Sequence, residues 1–266
     1  MAYIFNHFKK AWGVYKNNFV PIILIMLLFL VIYFSIFSAS RYLETSTLSS
    51  IENFENYTVT ENMSAEEYNK VFGAFQQHIS NFILFFLFLI VIGVITVFLQ
   101  AGFWGICLKG IKEKVNIRIF FTTIKERGLS YFLAIILLSL ILLAIETPFL
   151  IVSIILLYGS PTFFWVAFFL DMAIYFLIMP FFIFVYPAVV SGKRVSESLS
   201  QSFSLGKKNY FGLLLLIILF SVSFLVFFIP IMGILLIYFL ISPLFIITIC
   251  SYYLEASRRE VKGKRK

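Results

Sequence analysis

A single aspartate, Asp171, serves all 266 residues, alongside two histidines (His7 and His78) and two cysteines (Cys107 and Cys250). Charged residues make up only 13% of the chain, about half of the roughly 25% usual in soluble domains. So little charge excludes an ordinary water-soluble fold. The shortage of His and Asp works against acid–base and metal chemistry: there is no zinc-ligand spacing, no Gly-rich phosphate loop and no catalytic triad. No catalytic residue, cofactor or metal is therefore expected, and the chain reads as a non-enzyme. Two thiols near the same ends of two apolar runs do not make a disulfide framework, and they read as small buried side chains.

Apolar residues are abundant, at 61% of the chain with a mean hydropathy of +1.00. That is more apolar surface than one soluble core can hide. Runs long enough to cross a roughly 30 Å hydrocarbon layer fall at 19–39, 82–108, 131–157, 162–190, 210–229 and 233–254. The first starts too late and is too long for a cleavable leader. The expected fold is an all-α integral membrane protein. Its six transmembrane helices form three hairpins, each preceded by a cytoplasmic interfacial amphipathic helix, in a single polytopic domain over 1–266.

The three amphipathic segments have a common pattern. Ile4, Phe5, Phe8, Trp12 and Tyr15 fall near one helical face of residues 1–18. Ile117, Phe120, Phe121 and Ile124 repeat at i, i+3, i+4 and i+7, with Gly128 as the expected C-cap. Val195, Leu199 and Phe203 follow at i, i+4 and i+8, with Gly206 as the expected stop. Gly93, Gly102 and Gly105 are expected to mark a packing face on the second span. Stretch 40–80 is the one long polar loop; Ser64-Ala-Glu-Glu67 predicts a helix start within it. Its sequons at Asn56 and Asn62 are read as incidental.

The net charge of +8 would elsewhere suggest nucleic acid, but its placement points to a membrane surface. With the N-terminus inside, 19 of 21 Lys and Arg lie on the cytoplasmic side, leaving only Arg41 and Lys70 outside. That bias predicts a multi-pass cell-membrane protein with both termini cytoplasmic and loop 40–80 extracytoplasmic. The headgroup candidates are Lys9, Lys10, Lys16, Lys112, Lys114, Arg118, Lys125, Arg127, Lys193, Arg194, Lys207 and Lys208, each near enough to an interface to attract anionic lipid.

Three times the chain reads amphipathic helix, polar stop, aromatic anchor, span, outer turn, span. The junctions Lys16-Asn-Asn-Phe19 and Lys207-Lys-Asn-Tyr210 align without a gap, whereas Lys125 to Tyr131 needs an insertion. A threefold repeat over 1–108, 109–190 and 191–257 is expected, followed by a basic tail at 258–266. In residues 185–211, Tyr186-Pro-Ala188, Gly192, Ser198-Leu199, Ser202, Leu205, Lys207 and Asn209-Tyr210 form a pattern. It resembles the loop after span four in a broad, uncharacterised set of prokaryotic six-span proteins. That set includes the membrane domain attached to some glycerophosphoryl diester phosphodiesterases. The resemblance implies a fold, not an activity. The phosphodiesterase catalytic domain needs a His-Arg motif and a cluster of acids, and neither His7 nor His78 is followed by Arg.

Two acids interrupt the apolar runs on either side of the Tyr158-Gly-Ser-Pro161 turn. Glu146 lies thirteen residues before Gly159 and Asp171 twelve after it, about 18 Å from the turn at 1.5 Å per residue. No Lys, Arg or His lies in either run. With Thr147, Tyr175 and the Ala144 carbonyl freed by Pro148, the acids are a candidate proton or cation site; the alternative is a hydrogen-bonded clasp holding the hairpin. Three functions follow: a membrane scaffold or accessory protein holding anionic headgroups, a transporter or channel for a small cation or lipid-like solute, and a membrane partner of a separately encoded enzyme. A homo-oligomer or a second membrane protein is a compatible partner for each.

Overall fold

The computed structural model describes residues 2–55, 65–159, 161–223 and 232–263. The two sequons, the Ser64 cap, the Pro230 turn and the last residues of the basic tail lie outside them. Among the described residues there is no strand. In chain order the helices are α1 (Ala2–Asn17), α2 (Phe19–Glu55), α3 (Ala65–Gly110), α4 (Ile117–Gly159), α5 (Pro161–Phe182), α6 (Val185–Val190), α7 (Val195–Lys208), α8 (Tyr210–Ser223), α9 (Met232–Leu236) and α10 (Ser242–Gly263), with a π-helical turn at Ile237–Ile241 before the last.

Five stretches are long and apolar enough to cross a membrane: Phe19–Leu43, Ile79–Gly110, Ile117–Phe149, Phe169–Val190 and Ile237–Val261. The pair α7 and α8, bent by 92°, adds a sixth if taken as one span. These are the marks of a multi-pass helical membrane protein. The described part of α8, 14 residues, is about 21 Å long and falls short of a roughly 30 Å layer by itself.

The chain divides into two compact units, Leu27–Thr96 and the remainder, Met1–Met26 with Val97–Lys266. In the smaller unit α3 begins at Ala65, so the second half of stretch 40–80 is helix as expected, while α2 continues to Glu55 and makes helix of 40–55 where loop was expected. The Ser35, Ser40, Thr45 and Thr96 hydroxyls each donate to the carbonyl four residues earlier, which satisfies a hydroxyl without water.

In the larger unit α4 packs on α5 and α6, α7 on α5 and α6, α8 on α5, and α1 on α10. Its core gathers at the basic end of the spans: Ile22 and Ile25, Phe103 and Ile106, Phe120 and Tyr131, Phe184 and Ala188, Leu213, Ile247 and Cys250 are all buried. Toward the other end Leu140, Leu143, Phe169 and Leu170 stand exposed, the surface a hydrocarbon layer covers.

Three boundaries differ from those expected. Gly128 is no cap, because α4 runs unbroken from Ile117 to Gly159 and residues 117–128 are its first turns. A Cβ on Gly128 would lie 2.5 Å from the Phe98 ring, so the glycine permits a close approach to α3. Gly206 does not stop α7 either; a Cβ there would meet the Pro180 carbonyl oxygen at 2.5 Å, backbone that cannot yield. The fourth span breaks at Ile183–Phe184, where Pro187 has no N–H to offer the Ile183 carbonyl. Gly102 and Gly105 abut Phe120 and Thr123, but Gly93 has nothing within 4 Å and marks no packing face.

The first and last amphipathic helices end alike. Asn18 follows α1 and Asn209 follows α7, and each side-chain amide donates to the carbonyl four residues back, at 3.0 Å to Val14 and 2.8 Å to Leu205. Asn18 does more: its Oδ1 accepts the Val115 N–H at 2.8 Å, tying the α3–α4 connection to the α1–α2 corner.

Pro243 likewise leaves the Phe239 carbonyl without its helical donor, and the π turn lies immediately before it. The Tyr15 hydroxyl donates to that carbonyl at 2.6 Å from α1. Tyr15→Phe should therefore cost about 1–3 kcal/mol by leaving a part-buried carbonyl without a donor. In the Pro243→Ala background, where the backbone N–H is restored, the same change should cost much less. Thermal unfolding of the four proteins in detergent checks this, and an equal cost in both backgrounds would disprove the pairing.

Candidate functional site: the basic end of the bundle

The amphipathic helices present two faces with different tasks. On α1 the face formed by His7, Ala11, Val14 and Tyr15 is buried against protein, as is Asn18 just after it, while Phe5 (73% exposed), Phe8 and Trp12 point outward. Lys16 lies over the Trp12 ring at 5.1 Å, an aromatic and cationic pair suited to an interface. On α7 the inward face is small and polar: Ser198, Ser202, Leu205 and Gly206 are buried and Phe203 is exposed. Ser202 donates to the Phe181 carbonyl at 2.9 Å near the broken end of α5.

Of the twelve headgroup candidates only Arg127 and Lys193 are half-buried; the other ten are exposed. Arg127 packs over Gly192, whose φ of +108° suits glycine and whose missing Cβ makes room for the guanidinium at 2.9 Å. Lys193 donates to the Gln201 side-chain oxygen, which also accepts the Tyr253 hydroxyl at 3.2 Å. Lys208 pairs with Glu260 at 3.7 Å. These three bind the protein to itself.

Three cavities open along this basic end. One of about 470 Å³ lies at the start of α4 between Lys109, Lys114, Arg118 and Glu113. A second, about 430 Å³, lies between α1, the α3–α4 connection and α10. A third, about 590 Å³, is bordered by Lys193, Glu197 and Glu260 with Ser196, Ser200 and Ser204 along α7, and is the least cationic.

Beneath the second cavity is a contact between residues 244 apart in sequence, with no local signal to announce it. His7 Nδ1 is 2.9 Å from the Ser251 hydroxyl and Nε2 is 3.3 Å from the carboxylate of Glu255, whose other oxygen accepts from Arg259 at 2.6 Å. The ring lies 4.9 Å from that of Tyr252. Because its partners lie at the far end of the chain, nothing local marks His7 as a core residue; the fold buries it to 4% exposure.

The acids lie at the other, less packed end. Glu146 sits on α4 and Asp171 on α5, which pack side by side, yet no hydrogen bond joins any two of Glu146, Thr147, Asp171 and Tyr175. The Thr147 hydroxyl donates at 2.6 Å to the Leu143 carbonyl of its own helix. Glu146 lies within electrostatic reach of Tyr175. Asp171 Oδ1 is buried with no hydrogen-bond partner.

No protein-family model, curated protein or solved structure matches this chain.

Burial holds the His7 pKa below its ordinary 6.5; Glu255 opposes this, and Lys10 and Arg259 reinforce it. An unfolded chain then takes up the proton first as pH falls through 6.5, so stability is full above that value and declines toward the folded pKa. Unfolding measured between about pH 7.5 and 5.5 should show this loss, at most about 1.4 kcal/mol per pH unit. His7→Gln should flatten the slope, and an unchanged slope would remove His7 as its source.

Proposed function

We propose that this protein is a non-enzymatic membrane scaffold or accessory protein that holds anionic lipid headgroups at the cytoplasmic surface, both termini lying on that side. The observation that carries the reading is the coincidence of the packed end of the larger unit with an exposed fringe of cations and outward-facing aromatics on α1 and α7. Each exposed Lys or Arg near an anionic surface contributes about 1 kcal/mol, and aromatic rings favour the headgroup level. The likeness of residues 185–211 to six-span membrane domains agrees with a role in the membrane rather than in catalysis.

Such contacts are electrostatic and partly screened. In detergent, short-chain phosphatidylglycerol should raise the unfolding temperature more than phosphatidylcholine does. The difference should shrink between about 0.05 and 0.5 M salt as the screening length falls below 10 Å. Equal stabilisation by both lipids at low salt would overturn the reading.

The orphaned Asp171 oxygen favours a second reading, a proton or cation site within the spans. Proteoliposome flux that is present in the natural protein and lost in Glu146→Gln/Asp171→Asn, prepared at equal folded yield, would support transport. Absence of flux in both, with lower thermal stability of the variant, would make the acids structural.

A further inference from the structure

The cavity of about 430 Å³ collects its charge from three separate segments: Lys10 from α1, Lys112 from the α3–α4 connection and Arg258 from α10. None of the three has an ion-pair partner among the described residues. The one acid in the lining, Glu255, is engaged by Arg259 at 2.6 Å and approached by His7 at 3.3 Å. The cations therefore face an acid whose charge is already spoken for by other groups. In the 470 Å³ cavity, by contrast, Glu113 lies among the lysines with no ion pair of its own. In the 590 Å³ cavity two acids outnumber Lys193.

Depth identifies the class of ligand. Lys112 lies two residues beyond Gly110, where one apolar stretch ends, and Arg258 lies in the last turn of another, Ile237–Val261. Both thus lie at the ends of stretches long enough to cross a membrane, where the lipid-contact reading puts the lipid phosphates. Ile111 and Leu254 add apolar lining beside the charges, and the Ser251 hydroxyl lies in the wall. Three uncompensated cations around one small space suit a compact group with two negative charges, which they can contact from several sides at once. A phosphodiester headgroup brings one charge; a phosphomonoester brings nearly two.

We propose that this cavity holds a phosphomonoester, presented by a lipid of the phosphatidic acid type. The assignment rests on the lipid-contact reading above and narrows it from a charged fringe to one site. The segments that converge here are already fixed to one another, α1 to α10 through His7 and to the π turn before it through Tyr15, and the α3–α4 connection to the α1–α2 corner through Asn18, so the cations are brought together by the fold.

The test uses the full chain in neutral detergent, with thermal unfolding followed against added short-chain phosphatidic acid, short-chain phosphatidylglycerol and sn-glycerol 3-phosphate. Phosphatidic acid should bind at least about tenfold more tightly than phosphatidylglycerol, a difference of about 1.4 kcal/mol. Lys10→Gln/Lys112→Gln/Arg258→Gln should abolish that preference while keeping a phosphatidylglycerol response. A matched loss of three charges at Lys9, Lys125 and Lys207 should weaken both lipids alike and retain the preference. Glycerol 3-phosphate binding as tightly as the lipid would uphold the phosphate site and assign it to a soluble ligand. Equal affinity for the two lipids, unaltered by the cavity variant, would overturn the site and leave the charged fringe standing. No response to either anionic lipid would overturn both.

Discussion

A backbone carbonyl that loses its helical donor inside hydrocarbon has no water to turn to, and much of the larger unit is arranged around supplying it a partner. Pro243 frees the Phe239 carbonyl, and Tyr15 reaches from α1 to donate to it. The break after Phe182 leaves the Phe181 carbonyl at the end of α5 without its helical donor, and Ser202 of α7 donates to it; Tyr210 at the head of α8 adds a donor to the Leu177 carbonyl at 3.1 Å. Asn18 closes the α1 end and takes the Val115 N–H. Helices α1 and α7 are thus more than surface floats. They carry the hydroxyls and amides that let the spans bend where they do.

That arrangement explains why the core lies at one end. Small inward residues on α7, above all Gly206, allow its backbone to meet that of α5. Aromatic rings fill the spaces beyond: Trp104 stacks on Tyr186 at 5.4 Å, and Tyr131 lies 5.9 Å from the same ring. Past Leu138 on α4, the helices of the larger unit turn leucine and phenylalanine outward. Lipid tails solvate such side chains as well as protein does, so nothing drives them together. The absence of a hydrogen bond between Glu146 and Asp171 belongs to this less packed end, where two acids on neighbouring helices need not share a pocket.

The cations divide by what surrounds them. Arg127, Lys193 and Lys208 are used within the protein, against Gly192, Gln201 and Glu260. Lys10, Lys112 and Arg258 border one cavity without ion-pair partners among the described residues. Others, such as Lys9, Lys125 and Lys207, remain on the exposed fringe. Sequence position alone treats all of them as interfacial charge. Their separation depends on which neighbour the fold brings within about 4 Å, where a pairwise contact outweighs the diffuse attraction of a charged surface.

The sequence by itself determined the helical membrane class and the two helices that end near Asn18 and Asn209. Those features follow from run length and periodicity, which are local and survive without knowledge of neighbours. It misread Gly128 and Gly206 as helix ends, because a glycine that stops a helix and one that admits another backbone look the same in one dimension. Tertiary structure alone decided that α4 continues through Gly128, that His7 meets Ser251 and Glu255, that Tyr15 answers Pro243, and that three scattered cations border one cavity. All but the first are contacts between residues far apart in the chain. Their partners are fixed by packing, and no local pattern encodes which partner is met.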